Sequence, residues 1–254
     1  MAPLREIACR MRLRLDRAIA GQHPNATIFH PQWLAIRAQT GEIKHAATKA
    51  SGVLVDVGCG QKPFERIFRS RVSAYIGLDD PTAAHPLGGS KADVFATALA
   101  LPLRSASVDV ILLTEVLEHL PEPLPVLAEL RRVLKSRGIV IVTTPMIYNS
   151  HGSPHDFLRF TPDGLRYVLE QAGFQVLEVR PQGYFGTTLG VMVNNFLTVT
   201  LERHRLLQVL RWTLLLPVMP LIFAGMNGVG WLLDALVHET RFSFNHLALA
   251  RRTS

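Results

Sequence analysis

The sequence predicts a doubly wound α/β domain on a mostly parallel sheet, and three observations carry that prediction. From Val53 onward, short apolar runs alternate with helical stretches, the pattern of a sheet covered on both faces. The first run ends in a glycine-bearing turn, Gly58-Cys59-Gly60. The second ends, about twenty residues on, in a carboxylate, Asp79.

The elements follow in order. Residues 3 to 20 place Leu4, Ile7, Met11, Leu15, Ala18 and Ile19 at three- and four-residue steps, with arginines at 5, 10, 12, 14 and 17 mostly between them. That pattern predicts a basic amphipathic helix, which can pack on the domain or lie on an anionic membrane. Gly21 to Pro31 breaks it, and Trp33 to Ala50 reads as a second helix closed by Ser51-Gly52. Strands are expected at Val53 to Val57, Ala74 to Asp79, Asp93 to Thr97, Val108 to Thr114 and Gly138 to Thr144, with a helix over Pro63 to Arg69. Pro121 to Lys135 sets Leu124, Leu127, Leu130 and Leu134 on one helical face. Thr161-Pro162 supplies an N-cap and a first-turn proline, Gly173 closes that helix, and Phe174 to Arg180 is a sixth strand.

A chain of 254 residues closes one such core with an appendage rather than two full domains. Its net charge of +7 points to an anionic partner, whether nucleic acid, acidic membrane or phosphorylated substrate. Cys9 and Cys59 are far apart, which argues against a disulfide framework and for a reducing compartment. Arginines interrupt the N-terminal apolar stretch where a signal peptide needs an unbroken core, so a cytoplasmic protein is expected.

At the end of the first strand, glycines let the backbone approach a ligand where a Cβ would collide. A dinucleotide fingerprint would require a third small residue at position 63, which is Pro63, so hydride transfer loses ground. Asp79 can accept both hydroxyls of a ribose or cap its own loop, and its position after Asp56-x-Gly58-x-Gly60 favours the ribose.

Taken together, Asp56 to Gly60, Gly77-Leu78-Asp79, Ala100 to Leu103, Val108-Asp109-Val110, Glu115 to Leu120 and the Leu134 to Pro145 region resemble the class I S-adenosylmethionine-dependent methyltransferases, especially the type 11 group. The resemblance implies a Rossmann-like sheet of seven strands with the last, within Phe242 to Arg251, antiparallel. It implies S-adenosyl-L-methionine as cofactor, with Asp56, Gly58, Cys59 and Gly60 near its methionine end and Asp79 on the ribose. The adenine falls to Thr97 and Ala98, and Thr114 completes the set. Two positions depart from the family: Thr97 replaces a frequent Asp, and Arg137-Gly138 replaces Gly-Gly ahead of the fifth strand.

Methyl transfer from a sulfonium is an in-line displacement that needs alignment, and a base only where the acceptor carries a proton to lose. His119 follows the fourth strand, while His151, His155 and Asp156 follow the fifth, so His155, Asp156 and His119 are the candidate catalytic residues. A structural role is the alternative for each, with Asp156 paired to Arg159. No metal centre is expected, because Gly152 and Pro154 spoil the helix that would align His151 with His155.

Trp212 to Trp231 carries no charge and is long enough to span a bilayer, but Pro217, Pro220, Gly225, Gly228 and Gly230 predict a broken element. A crossing would also strand the last strand on the wrong side. The organisation expected is therefore an N-terminal helical segment (1–50), a methyltransferase domain (51–182 and 241–254) and an apolar helical insertion (183–240). The insertion is read as a lid, a homodimer contact or a shallow membrane anchor on the inner face of the membrane. The function expected is methyl transfer, at oxygen, to a small acceptor of amphipathic or lipid-linked character. A non-catalytic binding or scaffold protein is the alternative. A nucleic-acid substrate is disfavoured, since no base-reading Asn-Pro-Pro-Tyr tetrapeptide is present.

Overall fold

The computed structural model describes residues 26–82, 89–203 and 218–253; the basic N-terminal segment lies outside them. Seven strands form one sheet: β1 (Val53–Val57), β2 (Ala74–Asp79), β3 (Val94–Phe95), β4 (Val108–Thr114), β5 (Leu134–Pro145), β6 (Phe174–Gln182) and β7 (Asn245–Arg252). Their order is β3-β2-β1-β4-β5-β7-β6. Pairing is parallel from β3 to β5, and β7 runs antiparallel to both β5 and β6. The strand order reverses between β1 and β4, which opens a crevice at their carboxyl ends.

Among the described residues six helices accompany the sheet: α1 (Trp33–Ala47), α2 (Glu65–Phe68), α3 (Pro123–Val133), α4 (Pro162–Gln171), α5 (Phe185–Arg203) and α6 (Met219–Leu236). Strand alternation divides the core between two faces. Val55, Ile111, Leu113, Val140, Val142 and Ala248 pack with α3 and α4, whereas Leu54, Val110, Leu112, Ile141 and Leu249 pack with α1 and with Phe64 and Phe68 of the α2 region. Thr161 caps α4 as expected, its hydroxyl accepting from the Gly164 N–H at 3.1 Å.

Several boundaries differ from the sequence expectation for identifiable reasons. The end of α1 tightens at Thr48 to Ala50 into three-residue turns. α2 is a single turn, flanked by similar turns at Phe64–Ile67 and Phe68–Arg71. β3 pairs only at Leu78↔Val94 and Asp79↔Phe95, because the Asp93 side chain binds elsewhere and Thr97 folds into its own turn. β5 begins at Leu134, not Gly138: Arg137 adopts φ 64°, the left-handed state the family's glycine would take, and forms a bulge opposite Val108–Val110. Leu134 therefore belongs to the strand, and Leu124 is exposed; the buried stripe of α3 is Val126, Leu127, Leu130 and Val133.

Between β6 and β7 the described insertion is a pair of antiparallel helices, with Gly186 beside Gly230 and Leu197 beside Met219 and Phe223. The expected breaks at Gly225 to Gly230 do not occur, and α6 is continuous for 18 residues. Pro220 sits in its first turn, where its missing N–H costs nothing, and Gly230 serves close packing: a Cβ there would lie 2.5 Å from the Gly186 carbonyl oxygen. Residues 212–217 of the uncharged stretch lie outside the described residues. Polar groups pin the two helices to each other and to the segment ahead of α1. Asp234 accepts from the Thr187 N–H and hydroxyl at the start of α5, and buried Asn194 and Asn227 bond each other at 3.1 Å and the 28–31 backbone.

Candidate functional site

The first cluster lies at the ends of β1 and β2. Gly58 adopts φ 73°, and a Cβ there would meet Val116 Cγ2 at 2.3 Å. Gly60 adopts φ 45° with open space where its Cβ would stand, so the turn presents bare backbone to the crevice. Asp79 is buried; one carboxylate oxygen accepts from the Gly60 N–H at 3.1 Å and the other from the Asp80 N–H at 3.0 Å. A carboxylate so placed is the kind of acceptor that ribose hydroxyls require. Asp56 is fully buried, accepts the Tyr75 hydroxyl on one oxygen, and its other oxygen has no hydrogen-bond partner among the described residues. Burial, opposed in part by the Tyr75 hydrogen bond, raises the Asp56 carboxyl to about 7.

Cys59 is buried beside these carboxylates, and burial followed by the Asp56 charge pushes its thiol up to about 12, which leaves it inert. Lys62, at φ 55°, crosses Gly77 to reach Asp93 at 2.6 Å, and Asp93 also accepts from the Gly77 N–H at 2.7 Å. Sequence reading missed this clamp because nothing local links residues 31 apart. On the adenine side, Thr97 is exposed and its hydroxyl oxygen accepts from the Leu99 N–H at 3.3 Å, leaving its proton free to donate. Ala98 is half-buried on the core, and Thr114 ends β4 opposite Thr143.

The donor set suits S-adenosyl-L-methionine. An unpartnered buried carboxylate oxygen fits an ammonium, a second buried carboxylate fits ribose hydroxyls, and the open Gly60 backbone leaves room for both.

The second cluster lies beyond β4 and β5. Glu115, at φ 54°, accepts from the Thr143 hydroxyl and the Asn245 amide, both at 2.7 Å, and burial raises its carboxyl. Glu118 is wholly buried, and neither carboxylate oxygen has a hydrogen-bond partner among the described residues. Burial, reinforced by Glu115, raises its carboxyl well above the ordinary range. The Glu118 carbonyl accepts from Phe157 and Leu158, which docks the loop after β5 onto the end of β4.

That loop brings His151 against His119, with ring centroids 5.0 Å apart. The Nε2 atoms of both rings lie 3.8 Å from Glu118 Oε1. His119 Nδ1 bonds the His155 carbonyl, while the His155 residue is exposed with its ring against Phe157. Asp156 is held by Arg159 through contacts of 2.6 and 2.8 Å and accepts from the His151 N–H at 2.9 Å. The Arg159 hydrogen bonds hold its carboxyl well below the usual range. This geometry gives Asp156 a loop-anchoring part and brings together Glu118, His119 and His151. Of the three, only Glu118 lacked a sequence signal beyond its place in the motif. The insertion reaches the same region through Asn195, which donates to Asn149 at 2.7 Å.

A family model described as a methyltransferase domain matches residues 55–142. An uncharacterized methyltransferase of Mycobacterium ulcerans is 34% identical over 124 residues, 46% of each chain. One from Mycobacterium bovis BCG is 34% identical over 177 residues, 67% of this chain and 63% of the relative. The chain thus spans less than two thirds of the length of these relatives. Among solved structures, the cyclase SpnF is similar in fold, with a TM-score of 0.56 at 21% identity over 86% of this chain and 81% of that one. The motifs and sequence matches give this chain a methyltransferase domain of the class I S-adenosylmethionine-dependent family, whose methyl donor is S-adenosyl-L-methionine.

Proposed function

We propose that the chain transfers a methyl group from S-adenosylmethionine to an oxygen of a small-molecule acceptor held between the ends of β4 and β5. The observation that carries this reading is the pair of buried carboxylates, Asp56 and Asp79, at one glycine turn, with an Asp56 oxygen left unpartnered among the described residues. When bound, S-adenosylmethionine supplies an activated methyl on a sulfonium. Asp79 would hold the ribose, Asp56 the ammonium, and the backbone near Ala98 with Thr97 and Thr114 would border the base. His119 faces the acceptor side, and Asp156, through Arg159 and the His151 backbone, fixes the loop that carries His151 and His155 over it. Asp79→Ala should weaken cofactor binding by about 1 to 3 kcal/mol, or about 5- to 150-fold. Calorimetry giving equal affinities for the variant and the parent would refute the assignment.

The acceptor is read as amphipathic, taken from the inner face of a membrane. Support comes from the exposed apolar side chains of α5 and α6, including Phe196, Leu221, Ile222, Trp231, Leu232 and Leu236, and from the arginines of the N-terminal segment. One helix, Met219–Leu236, has the length and composition of a span, which by itself is weak support. A shallow seat in one leaflet keeps β7 in the sheet. Binding to anionic liposomes should occur and weaken as salt rises. Absence of binding at low salt, in a sedimentation assay, would sink the membrane reading and leave the helix pair as a lid or a homodimer contact.

A further inference from the structure

We infer that Glu118, His119 and His151 form a binding site for a divalent first-row transition cation, of the kind that takes two imidazoles and one carboxylate. Their ligand-capable atoms all lie within 4.8 Å of one another. Both ring tautomers are fixed from the far side. His119 Nδ1 faces the His155 carbonyl and His151 Nδ1 faces the Asn149 carbonyl at 3.3 Å, and a carbonyl only accepts, so each Nδ1 carries the proton. Each Nε2 therefore turns a lone pair toward the Glu118 carboxylate. Two imidazole lone pairs and a carboxyl group converge, and the carboxyl is wholly buried with no hydrogen-bond partner among the described residues. Such an arrangement holds together only with a positive charge at its centre, a proton in the metal-free protein and a cation in the loaded one.

The surroundings match those of metal ligands. Backbone carbonyls orient both rings, and Asp156 Oδ2 stands 3.7 Å from His151 Nδ1, the outer carboxylate that raises a ligand's basicity. A Cβ on Gly152 would lie 3.1 Å from His119 Cε1, so the loop covers that ring closely. Ligands about 2.1 Å from a tetrahedral ion stand about 3.4 Å apart, which the observed 3.8 Å contacts reach by small side-chain rotations. Two imidazoles favour zinc, iron, nickel or copper over magnesium and manganese. With three protein ligands among the described residues and both rings partly exposed, a position stays open. Resting on the proposed methyl transfer, that position suits an acceptor whose hydroxyl or carboxyl oxygen can enter it. The expectation from sequence that no metal centre exists weighed only His151 with His155; the fold pairs His151 with the end of β4 instead.

The test is calorimetry on the full chain after chelation, titrated with Zn²⁺ and with Ni²⁺, and visible absorption with Co²⁺. One equivalent should bind, and His151→Ala should weaken binding by about a hundredfold or more. Glu118→Gln should do the same while circular dichroism stays unchanged. His45→Ala, at the α1–β6 contact with Glu178, should bind as the parent does. Absence of saturable binding for every ion, or binding that His151→Ala leaves intact, would overturn the site. S-adenosylmethionine titrated into the metal-free protein separates the two readings: cofactor binding without metal binding refutes only the metal site, and metal binding without cofactor binding refutes only the proposed activity.

Discussion

Asp56→Asn should stabilise the cofactor-free protein above pH 7 and, at the same pH, weaken its hold on S-adenosylmethionine. Asp56 is fully buried, and burial raises its carboxyl to about 7 from an ordinary value of 3.8. The folded state therefore holds a proton that the unfolded chain releases, and stability falls as pH rises across that window. Above pH 7 the cost is complete, at about 4 kcal/mol by the displacement of the carboxyl. An amide of the same shape removes it, while keeping an oxygen to accept the Tyr75 hydroxyl. Binding should move the opposite way, because an ammonium pairs with the carboxylate and not with the amide. In the parent, affinity should drop as pH falls below 7, and in Asp56→Asn it should be flat. Chemical denaturation at pH 5 and pH 8, with cofactor calorimetry at both, checks the pair of signs. Equal stability of the two proteins at pH 8 would refute the strained carboxylate.

The cofactor half of the site was legible because it is local. A buried strand, a glycine turn and an acidic strand end are written within Val53 to Asp79, and β1 and β2 fall where the residues place them. The boundaries that moved were set by contacts invisible in one segment. The Arg137 bulge depends on β4 opposite it, the length of β3 on what Asp93 binds, and the unbroken α6 on Gly186 facing Gly230. The acceptor side was harder to read for the same reason. Glu118 and His151 come from different strand ends, and only docking of the loop onto the Glu118 carbonyl joins them. A histidine pair at close sequence spacing, His151 and His155, drew attention to the loop, yet the chain turns between them so that His155 contributes its carbonyl to His119.

Arg159→Met should loosen the loop over the acceptor side by about 1 to 3 kcal/mol, less than removing one partner of a fully buried ion pair costs, because the Arg159 side chain is 28% exposed. The Asp156 side chain is 4% exposed, and Arg159 supplies two of its contacts. The His151 N–H and the Ser150 hydroxyl remain to it, which keeps the loss at the lower end. Because its carboxyl is held below the ordinary range chiefly by Arg159, the stabilisation is present above the unfolded value near 3.9 and is lost as pH falls through the lower folded value. The parent loop should thus stay closed through mild acid, and the variant should open at a higher pH. Hydrogen exchange at residues 149–159 reports this locally, since the sheet beneath is held by other contacts. Asp156→Asn combined with Arg159→Met should recover part of the protection, because no charge is then left buried. If Arg159→Met exchanges like the parent across pH 4 to 8, the ion pair does not anchor the loop. Asp156 would then return as a candidate base for the transfer step.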